Sequence, residues 1–121
     1  MNVTVRITKN FKTAAKPLLK KYPSLQKDLL KLETELINSP TLGTSLGHNA
    51  YKIRLKISSK GKGKSAGARV VSLIETTLIS EINTTEDQVT VNLITIYDKS
   101  DTATISEKEL KELIKSFYKD Q

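Results

Sequence analysis

YKIRLKISSKGKGKSAGARVV, residues 51–71, is the stretch on which the fold turns. Its first seven residues alternate without a break: Tyr51, Ile53, Leu55 and Ile57 fall on one side of an extended chain, and Lys52, Arg54 and Lys56 on the other. Successive side chains of a strand point to opposite faces, so this is a strand with an apolar back and a cationic front. Beyond the glycines, ARVVSLIETTLIS (68–80) is rich in β-branched residues and reads as a second, longer strand. VTVNLITIYD (89–98) reads as a third, with INTTED (82–87) as the polar turn between them. Three strands in succession pair most simply as an antiparallel meander.

Working outward, NVTVRI (2–7) alternates Val3, Val5 and Ile7 with polar residues, again the period of a half-buried strand. NFKTAAKPLLKKY (10–22) reads as helix, with Pro17 either kinking it or opening a shorter one, and Pro23 ending it. Ser24 is a candidate N-cap for a second helix, SLQKDLLKLETELIN. There Leu25, Leu29, Leu32 and Leu36 form one apolar stripe flanked by Leu30 and Ile37, a core face in a helical hairpin. PTLGTSLGHN (40–49) is loop by composition. Ser106 to Glu109 has the capping-box pattern, and Leu110, Leu113, Ile114, Phe117 and Tyr118 follow at helical spacing. The expected fold is α+β: an N-terminal strand and a helical hairpin packed on an antiparallel sheet, closed by a C-terminal helix. With the helices on one sheet face, the side bearing Lys52, Arg54 and Lys56 is expected to stay open.

The totals bound the function. A chain of 121 residues has the length of one domain, and 1–121 is read as a single unit. Without cysteine there is no disulfide, thiolate metal site or thiol nucleophile, and one histidine cannot form a zinc cluster. No acidic cluster accompanies the basic segment, so neither a metal nor another cofactor is expected. The N-terminus lacks the apolar run of a signal peptide and no stretch has transmembrane length, so the expectation is a soluble cytoplasmic protein without a membrane partner. Lys and Arg number 20 against 13 Asp and Glu, a net charge of +7. From Leu36 to Ile74 there are seven cations and no acid, while the other 13 cations balance all 13 acids. A polyanion partner at that segment is the leading reading, with an acidic protein or a solvated loop as alternatives.

SKGKGKSAGAR (59–69) concentrates the question, with four cations and three glycines in eleven residues. Gly63-Lys64-Ser65 is half of a phosphate-binding loop, but the first glycine that motif requires would be residue 58, a serine. The residues that follow read as strand, so no helix N-terminus would face a phosphate. A mobile hairpin loop explains the glycines and leaves the lysine alternation as chance. A grip on a phosphate backbone uses all of it: Lys56, Lys60, Lys62 and Lys64 as point charges on a backbone that glycine lets approach closely. Such a grip gives sequence-independent, salt-sensitive affinity.

On the run YKIRLKISSKGKGKSAGARVV, with LITIYDKS, the ISEKELKELIK ending and the earlier KKYPSLQKDLLKLETELINSPTLGTSLG, the chain resembles the RelE/ParE superfamily of bacterial toxins, close to its RelE- and HigB-type mRNA interferases. The resemblance covers nearly the whole chain. It implies a toxin of a type II toxin–antitoxin system, inhibited by a cognate antitoxin that wraps it, and cutting mRNA in the ribosomal A site. ParE-type members act instead on DNA gyrase.

RNA cleavage by attack of a 2′-OH needs a base for that hydroxyl, positive charge for the phosphorane and an acid for the leaving oxygen. His48, alone in a Gly-flanked loop, is read as structural or incidental, which leaves Lys, Arg and Tyr. The resemblance places Lys52 as base and Arg54 where RelE itself has a second lysine. It makes Arg69 the arginine that holds the scissile phosphate, and Lys99 the group supporting the transition state or leaving oxygen. RelE has a tyrosine beyond that last position that stacks on a base; here the stretch is SDTATIS, and Tyr97 is the aromatic left for stacking or proton transfer. The ordinary reading of each is a solvated cation or a half-buried tyrosine. Two other functions stay open: a ParE-like toxin with a protein target, and a non-enzymatic RNA-binding module.

Overall fold

The computed structural model describes residues 2–61, 66–81, 84–101 and 104–120, with the backbone alone for 78–81 and 84–86. In chain order the elements are β1 (Asn2–Ile7), α1 (Lys9–Lys21), α2 (Leu25–Asn38), β2 (Thr44–Gly47), β3 (Ala50–Leu55), β4 (Ala68–Glu81), β5 (Thr84–Asp98) and α3 (Glu107–Lys119). One turn of 3-10 helix, Ser58–Lys60, follows β3. The strands form one sheet in the order β1-β5-β4-β3-β2. β2 to β5 pair antiparallel as the meander requires, and β1 joins the far edge parallel to β5. The architecture is the expected α+β one: N-terminal strand, helical hairpin, sheet and C-terminal helix.

Thr8 explains where α1 begins. Its hydroxyl accepts from the Phe11 amide at 3.1 Å and donates to the Leu93 carbonyl at 2.8 Å, capping the helix and tying it to β5 together. Phe11, Ala15, Leu18 and Tyr22, spaced four, three and four, are buried against the sheet. Pro17 is therefore an interior residue of a longer helix, not the start of a shorter one. In α2, Leu25, Leu32 and Leu36 are buried and Leu29 half-buried, while the flanking Leu30 and Ile37 stay exposed. These helices and the sheet face carrying Ile53, Leu55, Val70, Val91 and Ile96 make the larger core. Burying each such side chain contributes about 1.5–3 kcal/mol.

Three expectations change. The 40–49 stretch contains a strand: β2 pairs with β3, and His48 and Asn49 form the turn between them with φ of 55° and 63°. Both central residues in the left-handed region make the tight turn that matches strand twist. Second, β4 and β5 stay paired out to Glu81 and Thr84, so Thr84 to Asp87 of the expected turn are strand. Third, the helices do not all lie on one sheet face: α3 packs on the sheet, on the side away from the helical hairpin. Its apolar side (Leu110, with Leu113, Ile114 and Phe117) packs on Ala50, Val71, Leu73 and Ile94, which belong to the opposite sheet face. That is the face bearing Lys52 and Arg54, which is thus covered over part of its length.

Candidate functional site

Strand register brings three of the candidate residues into one row. Arg54 on β3 is paired with Arg69 on β4, and Arg69 with Tyr97 on β5. The next row holds Lys52, Val71 and Thr95. Paired residues lie about 5 Å apart across neighbouring strands, so two guanidinium stems and a phenol share a patch roughly 10 Å wide.

The members differ in exposure. Arg54 is exposed and Lys52 half-buried, but Arg69 is only 3% exposed, with its Nη1 donating to the Ala68 carbonyl at 3.1 Å. Tyr97 lines a cleft of about 420 Å³ with Asn10, Thr95, Ile105, Glu109 and Glu112. Its buried hydroxyl has no hydrogen-bond partner among the described residues. Burial pushes its pKa up. The nearby Ile105 amide, the Arg69 charge and the Thr104 hydroxyl offset this in part, although neither Ile105 nor Thr104 reaches hydrogen-bond geometry. Lys99 is exposed on the turn after β5, held by its backbone amide donating to the Gly67 carbonyl at 3.1 Å. Lys56 is exposed near Asp28 of α2, away from the Tyr97 end of the row.

Lys60 requires a correction. Its ammonium donates to Asp98 Oδ1 at 2.8 Å, the Ala66 carbonyl at 2.9 Å and the Ser100 hydroxyl at 2.9 Å. An ammonium has three protons, and all three are engaged, so Lys60 is a structural cation and not a free phosphate contact. Lys62 and Lys64 lie outside the described residues.

The acid that claims Lys60 organises this end of the molecule. Asp98 is buried and also accepts from the Tyr22 hydroxyl and the Ser100 amide. Burial raises its pKa, but the bonds from Lys60, Tyr22 and Ser100 and the Lys60 charge outweigh it and hold the carboxyl well below the usual range. The same bond holds the Lys60 ammonium above its ordinary value. A second carboxylate, Asp28 on α2, accepts from the Ser58 amide at 3.0 Å, the Ser58 hydroxyl at 2.6 Å and the Ser24 hydroxyl at 2.8 Å. Burial again works against it, and those bonds with the Lys56 charge bring its pKa down. Two acids thus pin the 3-10 turn and both described ends of the glycine-rich loop. Gly67 completes the junction: a Cβ there would stand 2.0 Å from the Leu55 carbonyl oxygen, closer than any side chain permits.

Neither a protein-family model nor a curated protein matches the sequence. Among solved structures, the chain is similar to the E. coli toxin RelE, determined as a double arginine mutant in the free state. The two share 21% identity with a TM-score of 0.55, over 96% of this chain and 98% of that one. The fold is RelE-like. At that identity the likeness extends to the architecture alone.

Within this RelE-like fold, the sequence reading found the row residues but not what supports them. Asp28, Asp98 and Tyr22 had no local signal, since each takes its meaning from a partner far along the chain; Ser24 stands at the expected N-cap position of α2 but makes no side-chain capping bond, its hydroxyl donating to Asp28 instead. His48 sits in the β2–β3 turn with its Nε2 3.3 Å from Glu107 of α3, apart from the Arg54–Arg69–Tyr97 row. Among the described residues, no three His, Asp or Glu side chains come together as a metal site, and no helix is long and apolar enough to cross a membrane.

Proposed function

We propose that this protein is the toxin of a type II toxin–antitoxin system and that it cleaves mRNA on the ribosome as a metal-independent, single-domain cytoplasmic endoribonuclease. The observation that carries the reading is the Arg54–Arg69 cross-strand pair, flanked by Lys52 and Tyr97, in a RelE-like fold. A scissile phosphate between the strands would meet both arginines, and their charge would stabilise the dianionic phosphorane. Lys52, one row away, is the group proposed to take the 2′-OH proton. Lys99, on the turn tied to Gly67, is proposed to support the leaving oxygen, and Tyr97 to stack on a base or pass a proton. Lys56, with Lys62 and Lys64 of the loop, is the proposed contact to ribosomal RNA. Because Arg69 is only 3% exposed, productive binding requires its guanidinium to become accessible.

Primer-extension mapping of cellular mRNA after a short pulse of expression tests this, with wild type beside Arg69→Ala. Cuts inside translated codons that disappear in the variant are the expected result. Growth arrest with intact mRNA would instead mark a ParE-like protein target, and absence of both would leave an RNA-binding surface without chemistry.

A further inference from the structure

Under α3, at the β1 edge of the sheet, lies a cavity of about 260 Å³ that adjoins the Tyr97 cleft, the two sharing Asn10, Leu113 and Ser116. Its outer end is suited to negative charge. Arg6 of β1 and Lys9 of α1 line it, both exposed, at the N-terminus of α1. The amides of Lys9 and Asn10 make no hydrogen bond among the described residues. Asp28 stands in the first turn of α2, and Glu107 and Glu109 in that of α3. By contrast, α1 has no acid in its first turn, and the chain has none before Asp28. The positive pole of α1 therefore has cations beside it where an anion is the favoured neighbour. Asp120 is the one acid among the described residues lining this cavity, set against those two cations.

Asn92 lines the same cavity and is only 1% exposed. Its Nδ2 donates to the Leu73 carbonyl at 3.2 Å and to Glu75 Oε1 at 2.9 Å, both on β4. The other end of the amide is thus turned toward β1, where Arg6 is its register partner, and the buried Oδ1 has no hydrogen-bond partner. A buried acceptor left open is costly. A bare anion would bring it nothing, so a fitting ligand carries a donor close to its charge. In the adjoining cleft Glu109 and Glu112 present further acceptors. Glu109 already accepts from the Ser106 hydroxyl at 2.9 Å, which leaves Glu112 the freer of the two.

We infer that the joined cavities bind a nucleoside 5′-monophosphate whose base carries an exocyclic amino group. The phosphate would take the Arg6 and Lys9 charges and the open α1 amides, and a ribose hydroxyl would donate to Asn92 Oδ1. The base would lie along Leu113 and give its amino protons to Glu112, as carboxylates accept from cytosine N4. An amino acid, with both charges on one carbon, would fill one end alone. The inference goes beyond the proposed function: it shares Tyr97 with the nuclease row, but binding needs no cleavage.

The probe is 5′-CMP, titrated into the intact isotope-labelled protein and followed by amide chemical shifts, with 5′-UMP and ribose 5-phosphate as controls. CMP should move the backbone amides of Lys9 and Asn10 and the side-chain amide of Asn92, and the shifts should saturate. UMP, which has a carbonyl in place of the amino group, should bind about tenfold more weakly, and ribose 5-phosphate more weakly than CMP. Arg6→Ala should weaken CMP at least about tenfold. Glu112→Gln should erase the preference for CMP over UMP, since an amide can face either base. Both side chains are exposed, and the spectra themselves report that each variant is folded. Three results overturn the inference: no saturable shifts with CMP, shifts confined to the Lys52–Lys56 strand, or ribose 5-phosphate binding as tightly as CMP. The mRNA-cleavage test reads none of these shifts, so the two readings fail separately.

Discussion

Lys60 shows how one side chain can be misread from its neighbours. It alternates with Lys62 and Lys64 on a glycine backbone, and by that local pattern all three are alike. What separates it is Asp98, 38 residues further on, which no local pattern points to. Two different outcomes follow. If Lys60 is structural, Lys60→Ala leaves the buried Asp98 carboxylate without its cation and lowers the unfolding free energy by about 3 kcal/mol in urea titrations. If it were a phosphate contact, the same change would flatten the salt dependence of RNA binding and hardly touch stability. We expect the first for Lys60. For Lys56, exposed on the loop side of β3, we expect the second: Lys56→Ala should reduce the slope of log K against log salt by about 0.7–0.9. A Lys60 variant of wild-type stability would remove the clamp from the account. The shared face of Lys52 and Arg54 was legible for the contrary reason, because strand alternation alone sets it.

At the scale of elements, what depended on spacing within a segment was legible. The helices α1 and α2, the capping box of α3 and the strands β3 to β5 all follow from apolar periodicity, and their order implied the meander. β2 was hidden because Thr44 to Gly47 is too short and too glycine-bounded to show a period. The sheet face chosen by α3 was hidden because an amphipathic helix does not say which of two apolar surfaces it will cover. The connection between β3 and β4 carries its own prediction, since two glycines there are required for different reasons. Gly61 needs its backbone angle: φ is +71° and nothing lies within 4 Å of a Cβ. Gly67 needs its missing Cβ, because the obstruction is the Leu55 backbone carbonyl, which cannot turn aside. Gly61→Ala should therefore cost about 1 kcal/mol, and Gly67→Ala about 3 kcal/mol or more, by separating β3 from β4 where Arg54 meets Arg69. Thermal melts give the ranking, and equal losses would show that the junction yields. Gly67→Ala should also depress any RNA cleavage beyond its effect on the folded fraction, whereas Gly61→Ala should not.

For the whole molecule, the two buried acids set a working range of pH. Asp28 and Asp98 are both held below the ordinary carboxylate range, so in acid the unfolded chain takes up protons at these sites before the folded protein does. Their contribution is complete above about pH 5 and is lost as pH falls through the ordinary carboxylate value near 4 toward the lower folded values. Lys60 runs the other way. Its raised pKa contributes stability that is complete below about pH 10 and is lost as pH climbs through the folded value. The clamp joining α1, the glycine-rich loop and β5 is thus fully charged across the neutral range, and calorimetry should find a plateau in Tm between these limits with a steep fall on the acid side. Asp98→Asn separates this cause from general acid denaturation. The variant should start lower, having lost the ion pair, and should then lose less on acidification, because one of the two depressed carboxylates is gone. Acid limbs that run parallel in wild type and variant would show that Asp98 does not set the fall, and would place the linkage on other carboxylates of the chain.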